Sequence, residues 1–385
     1  MKIIIAPDSF KESLTARQAA TAIARGLRRA LPEAELLTLP VADGGEGTTD
    51  ALVDATGGQS MPAPAIDPLG TPVTASWGLL GDGQTAVVEV AAASGLDLVP
   101  RAQRDPWRAS SAGTGALVRA ALDHGCRRLI IGLGGSATND GGAGLLHALG
   151  ARFLDNDGAA LAPHPAALMQ LARIDLSQLD PRLRTLPIDV ACDVTNPLLG
   201  PEGATAVFGP QKGVTGKHQE KLEAFMQRLA RCLCEATGQD HRATPGAGAA
   251  GGIGFALLST MMVTLKSGID IVLDTLDIDT HLPDTDLVIT GEGRLDGQTA
   301  QGKAPAGLAR RAARHGVPAI ALAGTVSADL PQQPDDALTA VFSILPELML
   351  LENAIGGAER NLEAVAYNLG RVLGLRKGLG EMSDV

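Results

Sequence analysis

A chain of 385 residues is too long for one ordinary hydrophobic core and fits two domains or three. Hydrophobic residues at 45% and charged residues at 19% exclude a disordered chain, and aromatics at only 2% leave the cores to Ala, Leu, Val and Ile. The net charge of −11, without a basic stripe, excludes a nucleic-acid surface, so an anionic ligand must be met by locally placed Lys, Arg, backbone N–H groups or a metal ion.

Residues 2 to 7, KIIIAP, predict a buried strand of a parallel sheet, ended by Asp8, Ser9, Phe10 and Lys11. That run is far too short for a signal peptide, and no stretch of about 20 apolar residues exists for a membrane span. Thr15 is a candidate N-cap for a helix to about Ala30, which Pro32 stops. ELLTLPV at 35 to 41 predicts a second strand, ended by Asp43, Gly44, Gly45, Glu46, Gly47 and Thr48 before a helix to about Thr56. This is a βαβα rhythm, and it implies a parallel sheet with a right-handed crossover.

From 61 the rhythm changes, with Pro62, Pro64, Pro68 and Pro72 breaking any helical pattern. TPVTASWGLL and TAVVEVAAA predict strands joined by a turn at Gly81-Asp82-Gly83. A helix is expected at about 112 to 124. The strand RLIIG at 128 to 132 then runs into the loop LGGSATNDGGAG, a candidate phosphate cradle: glycines let backbone N–H groups approach an anion, and hydroxyls add donors. ARFL at 151 to 154 and PIDVA at 187 to 191 predict further strands, the second ended by Cys192, Asp193, Val194, Thr195, Asn196 and Pro197. The stretch to Gly213 reads as loop, with Gln211 and Lys212 as polar reach, and Lys217 to Thr237 as an amphipathic helix. GAGAAGGIG at 246 to 254 is a second Gly-rich patch, as compatible with close helix packing as with a ligand.

After about 280 the parallel rhythm returns. DLVIT at 286 to 290 and PAIALA at 318 to 323 predict strands ended by Gly291-Glu292-Gly293-Arg294-Leu295-Asp296 and by Gly324-Thr325, with a last strand at 338 to 343 and a closing helix at 357 to 374. The expected fold is therefore α/β in two domains. Residues 1–60 plus 281–385 form a Rossmann-like parallel sheet, and 61–280 an inserted mixed-sheet domain carrying the Gly-rich loop, with the active site in the cleft between them.

Ligands collect beyond the carboxyl ends of parallel strands. The segments found there, DSFK, DGGEG, GGSATNDGG, CDVTNP and GEGRLD, combine Gly with carboxylates, cations and hydroxyls, an inventory that suits phosphoryl transfer. Magnesium wants one or two carboxylates plus phosphates and waters, and Asp43, Glu46, Asp193 and Glu292 are the candidates. Lys11, Arg294 or Lys303 could neutralise phosphate or hold a substrate carboxylate. Plainer roles stay open: Asp8 and Asp43 as helix caps, Asp193 in a turn, and Glu292 paired with Arg294. The seven histidines show no ligand or triad spacing, and Cys126, Cys192, Cys232 and Cys234 show no zinc spacing and suit a reducing compartment, hence the cytoplasm.

Gly132, Gly134 and Ala137 also fit G-x-G-x-x-A, with Asp155 lying 23 residues beyond Gly132, which keeps an NAD-dependent dehydrogenase of small hydroxy acids as a rival. Against it, Asn139-Asp140-Gly141-Gly142 interrupts the helix that such a fingerprint requires. No Walker A or protein-kinase motif occurs.

APDSFKESLTA, ADGGEGT, GLGGSATNDGGAG, CDVTNPLLGPEGA, VFGPQKG and DLVITGEGRLDGQTAQGKAP, in this order, resemble the bacterial glycerate kinase type-1 family over nearly the whole chain. Glu12 stands where the family's more usual residue is Gly. The resemblance implies two α/β domains and an ATP-dependent, Mg²⁺-requiring kinase acting on D-glycerate, for this class at the 2-hydroxyl, with 3-phosphoglycerate as the alternative product. It says nothing of oligomeric state. Residue chemistry then suggests Gly134, Gly135, Ser136, Thr138, Asn139 and Glu292 for the nucleotide, and Asp8, Ser9 and Arg294 for glycerate. It suggests Asp193 for the base with Lys11 beside the chemistry, and Asp43 and Glu46 for the metal.

Overall fold

In a computed structural model that describes residues 1–45, 47–297, 303–328 and 337–380, contacts gather the chain into two units. One comprises residues 1–43 with 269–385, the other residues 44–268. The strands are β1 (Lys2–Ile5), β2 (Glu35–Thr38), β3 (Gln59–Ile66), β4 (Pro72–Leu79), β5 (Thr85–Glu89), β6 (Arg128–Gly132) and β7 (Arg152–Leu154). They continue with β8 (Arg173–Asp175), β9 (Ile188–Ala191), β10 (Val263–Lys266), β11 (Leu287–Leu295), β12 (Ala319–Val326) and β13 (Leu338–Ser343). The helices are α1 (Ala16–Ala30), α2 (Thr48–Thr56), α3 (Ala91–Ser94), α4 (Ala112–His124), α5 (Ala143–Ala148) and α6 (Pro165–Leu168). After them come α7 (Gly216–Thr237), α8 (Ala249–Thr260), α9 (Gly268–Thr275), α10 (Ala304–Arg314) and α11 (Leu351–Gly380). Among the described residues no helix is long and apolar enough to cross a membrane.

The first unit is built on a wholly parallel five-stranded sheet in the order β13-β12-β11-β1-β2. In this unit's own chain order that is 2-1-3-4-5, a doubly wound arrangement whose order reverses between β1 and β11. Ile3, Ile4 and Ile5 are fully buried because both faces of the sheet are covered. On one face, Ile3, Ile5, Ile289 and Leu322 meet Ala19, Ile23 and Leu27 of α1 and Leu362 and Ala366 of α11. Thr15 caps α1 as expected, in a reciprocal box: its hydroxyl accepts the Gln18 N–H at 3.2 Å while the Gln18 amide oxygen accepts the Thr15 N–H at 2.9 Å.

The second unit carries a six-stranded mixed sheet, β10-β9-β6-β5-β4-β3, in which β5, β6, β9 and β10 run parallel while β3 and β4 are antiparallel. Strand β3 is absent from the sequence reading because Pro62 and Pro64 interrupt it. As the edge strand it needs no N–H on its open side, so both prolines are tolerated. Two other expectations need correction. Strands β11 and β12 continue through the residues read as their terminating loops, since Arg294↔Thr325 and Leu295↔Val326 still pair. Contacts also divide the chain at 43/44 and 268/269 where the sequence reading has 60/61 and 280/281, and at the first of these α2 packs on β3, β4 and β5.

Candidate active site

In the first unit the reversal point between β1 and β11 is where a doubly wound sheet opens a crevice at its carboxyl ends. Chain geometry brings DSFK and GEGRLD together there. The Asp8 N–H donates to the Gly291 carbonyl at 2.8 Å, continuing the ladder one step past β1, and a Cβ placed on Gly293 would stand 3.5 Å from the Lys11 nitrogen. Asp8 and Ser9 are half-buried, with the Ser9 N–H donating to Asp8 Oδ1 at 2.6 Å. Burial pushes the Asp8 carboxyl up to about 7, reinforced by the like charges of Asp43 and Glu292 and opposed by the Ser9 N–H. Lys11 is exposed and forms no ion pair among the described residues. Arg294 is exposed and pairs with Asp296 at 3.5 Å rather than with Glu292. Glu292 and Arg294, two apart on one strand, share a face of β11.

The Glu12 departure has a local consequence. Its φ of 62° is left-handed, a conformation that costs a side-chain-bearing residue about 1 kcal/mol and glycine nothing. Glu12→Gly is therefore expected to raise the thermal midpoint by about 2–4 °C, as differential scanning would read. A midpoint at or below the parent's would mean that Glu12 holds this turn through its side chain.

In the second unit the loop after β6 exposes Gly135 and turns its polar residues inward, while Gly141, Gly142 and Gly144 are buried. Gly135 is exposed and Gly134 half-buried, while Ser136 is 5% exposed and Thr138, Asn139 and Asp140 are sealed completely. Gly135 is left-handed, its carbonyl accepts the Leu96 N–H at 2.8 Å, and the Ala137 N–H donates to the Ser94 carbonyl at 2.8 Å, which ties the loop to the end of α3. Thr138 and Asn139 are sealed in this conformation, and Thr138 Oγ1 and Asn139 Oδ1 are buried without a hydrogen-bond partner among the described residues. The Asn139 amide donates to Thr205 Oγ1 at 3.1 Å. Asp140 organises the loop: its carboxylate accepts from the Ser111 N–H and hydroxyl, both at 2.8 Å, and from the N–H groups of Gly144 (3.0 Å) and Gly142 (3.1 Å). Burial pushes its carboxyl up and those donors pull it back.

Under the loop sits Lys212, 2% exposed, donating to Ser136 Oγ at 2.8 Å and to the Thr138 carbonyl at 2.7 Å. Burial pushes its ammonium down to about 7 against the pull of Asp140. The second Gly-rich patch proves to be the loop's packing partner. Ala250, Gly251 and Gly252 are all left-handed, and the Gly251 carbonyl accepts the Gly141 N–H at 2.9 Å. The helix that follows the loop, α5, has only six residues and starts after Gly142, so the dinucleotide fingerprint lacks its helix.

The glycerate kinase family model matches residues 3–374. The chain belongs to the glycerate kinase family. It is 52% identical to the glycerate kinase of Bacillus subtilis (strain 168) over 98% of this chain and 99% of that one. It is 47% identical to the glycerate 2-kinase of Escherichia coli (strain K12) over 97% of this chain and 98% of that one. A crystal structure assigned to glycerate kinase 2 of Salmonella typhimurium LT2 superposes with a TM-score of 0.90 at 48% identity, covering 98% of this chain and 99% of that one. The family settles the chain as a kinase, against the dehydrogenase rival.

Placed on this glycerate kinase fold, the other expected residues divide. Asp193 is exposed, and its Oδ1 accepts the N–H of Gly268, the last residue of the second unit, at 3.0 Å. Glu46 lies outside the described residues. Asp43 is half-buried, and among the described residues no group of three or more His, Cys, Asp or Glu side chains forms a metal cage. Sequence reasoning missed Asp140 and Ser111, and it read Lys212 as outward reach. It also missed Glu89, whose carboxylate accepts the Thr49 N–H at 2.6 Å at the start of α2 and is pushed up by burial.

Proposed function

We propose that this chain transfers the terminal phosphoryl group of ATP to the 2-hydroxyl of D-glycerate, giving 2-phosphoglycerate, and does so in the cytoplasm. The observation that carries the reading is the pairing of two features within one kinase-family chain. One is a Gly-rich loop with Gly135 exposed and a buried lysine beneath it; the other is a group of carboxylates at the switch point of a parallel sheet. The relative named glycerate 2-kinase supports the 2-hydroxyl over the 3-hydroxyl. The four free thiols, Cys126, Cys192, Cys232 and Cys234, suit a reducing compartment.

In this reading the backbone of Gly134 and Gly135 and the hydroxyl of Ser136 hold nucleotide phosphates, while Thr138 and Asn139 support the loop from inside. Ser9, Lys11 and Arg294 bind the glycerate carboxylate and hydroxyls, and Glu292 faces the nucleotide. The proton acceptor is assigned to Asp8 in place of Asp193, because Asp8 is a half-buried carboxyl beside Ser9 at the end of β1, whereas Asp193 is exposed and accepts the Gly268 N–H. Mg²⁺ fits an oxygen-only donor set of one or two carboxylates plus phosphates, and Asp43 and Glu292, whose charges already crowd Asp8, would hold it. When bound it neutralises charge on the phosphoryl group.

ADP release should be followed by a coupled assay with D-glycerate, hydroxypyruvate and tartronate, while enolase added without mutase reports the 2-phospho product directly. ADP release with glycerate and an immediate enolase signal are expected. ADP release without that signal would move the transfer to the 3-hydroxyl, and glycerate binding without ADP release would make the chain a sensor rather than a kinase. In the same assay Asp193→Asn is expected to keep kcat within about tenfold of the parent, and a loss of about 10² or more would return the base to Asp193.

A further inference from the structure

We propose that Lys212 is a positioning residue for phosphoryl transfer, fixing Ser136 from beneath the Gly-rich loop as a hydrogen-bond donor to a phosphate oxygen of the nucleotide. The inference rests on the reading that this loop holds the ATP phosphates.

In its charged form, which an anion bound at the loop favours, the Lys212 amine can only donate. At Ser136 Oγ, 2.8 Å away, Lys212 therefore occupies a lone pair of the hydroxyl, and its other bond, to the Thr138 carbonyl at 2.7 Å, pins the next turn of the loop. The hydroxyl hydrogen of Ser136 is thereby left to donate, and no acceptor for it occurs among the described residues. Ser136 directly follows Gly135, an exposed residue of the loop, and is itself 5% exposed. An anion carrying several acceptor oxygens satisfies that donor.

A purely structural explanation fits the surroundings poorly. Lys212 is sealed from water, and its pull toward Asp140 is not a direct bond, because the Asp140 oxygens are taken by Ser111, Gly142 and Gly144. Burying an ammonium without a bonded carboxylate is expensive, and a Met or Gln of similar length would hold the strap at lower cost. The strap has its own fastening in any case: Arg104 donates to the Gln211 carbonyl at 2.8 Å. What an ammonium adds is a positive charge under the cradle and a fixed donor–acceptor sense at Ser136.

The test is a double-mutant cycle on the full chain with Lys212→Met, Ser136→Ala and the pair, reading KM for Mg-ATP, KM for glycerate, kcat and the thermal midpoint. Lys212→Met is expected to lower kcat/KM for ATP by about 10² and Ser136→Ala by about tenfold, with KM for glycerate moving less than about threefold. The double variant should be no worse than Lys212→Met, because the two act through one hydrogen bond. Losses that multiply, or a Lys212→Met chain that melts earlier with unchanged ATP kinetics, would overturn the proposal and leave Lys212 a packing residue. Should Lys212→Met fail to fold, Ser136→Ala decides, since it leaves the Lys212–Thr138 bond in place: an unchanged KM for ATP overturns the proposal. A parent chain that releases no ADP at all would instead reject the kinase reading on which the proposal stands.

Discussion

Replacing Asp8 with Asn is expected to make the protein more stable at pH 8 and nearly inactive. The carboxyl of Asp8 is pushed up to about 7, first by burial and then by Asp43 and Glu292. The folded state thus holds this proton more tightly than the unfolded chain, whose carboxyl titrates near 4. The sign follows from linkage: at low pH both states are protonated and nothing is lost. As pH rises from about 4 to about 7 the unfolded state gives up its proton freely while the folded state resists, so the parent loses stability across that window. A shift of about three units sets a ceiling of about 4 kcal/mol, and a half-buried site that relaxes on ionisation should deliver about 2, or a midpoint change of about 4–8 °C. Asn keeps the acceptor for the Ser9 N–H and carries no charge, so it avoids the loss. Melts in chelator at pH 4 and pH 8 should show the variant and the parent close together at pH 4 and apart at pH 8. Turnover should fall by about 10² or more, since the amide cannot take the substrate proton. A stability gap independent of pH, or a variant with parental kcat, would remove Asp8 from the role.

The parts of this molecule legible in the sequence are those set by local periodicity. KIII and RLIIG read as buried parallel strands because continuous apolar runs of that length have few other uses, and the Thr15 cap with Gln18 is written within four residues. The strand carboxyl ends then named the segments to search for chemistry, and family motifs supplied the reaction. What stayed hidden was direction and pairing. Nothing local in GGSATNDGG distinguishes glycines facing out from hydroxyls facing out, and burial of Thr138 and Asn139 is decided by Thr205 and Gly251, far along the chain. Lys212 reads as a solvated lysine until the turn that carries it is folded beneath Ser136. Strand β3 was masked by its prolines, whose tolerance depends on an edge position that only the assembled sheet defines. The same long-range dependence makes the second Gly-rich patch, which looked equally like a ligand loop, the strictest steric test of the first.

Gly251→Ala should be among the most damaging substitutions of small size in this chain. A Cβ there would stand 2.0 Å from the Thr138 carbonyl oxygen and 2.9 Å from the Asn139 Cα, both backbone atoms of the loop. Relief would require the loop and the start of α8 to separate, breaking the bond from the Gly141 N–H to the Gly251 carbonyl. The residue is also left-handed, with φ 67° and ψ 32°, a conformation that adds about 1–2 kcal/mol for any side chain. With overpacking of about 1–3 kcal/mol, the total is about 2–5 kcal/mol, a large share of the stability of an ordinary domain. The melt should fall by about 5 °C or more, and the chain that remains folded should show a raised KM for ATP, because the displaced Thr138 carbonyl is the one that Lys212 holds. Ala250→Gly is the control. It alters the same turn but relieves a φ of 51°, so it should melt no lower than the parent. If both substitutions behave alike, the sensitivity belongs to the turn itself; if only Gly251→Ala fails, it belongs to the contact between the two Gly-rich segments, and the loop after β6 is held in shape by the second of them.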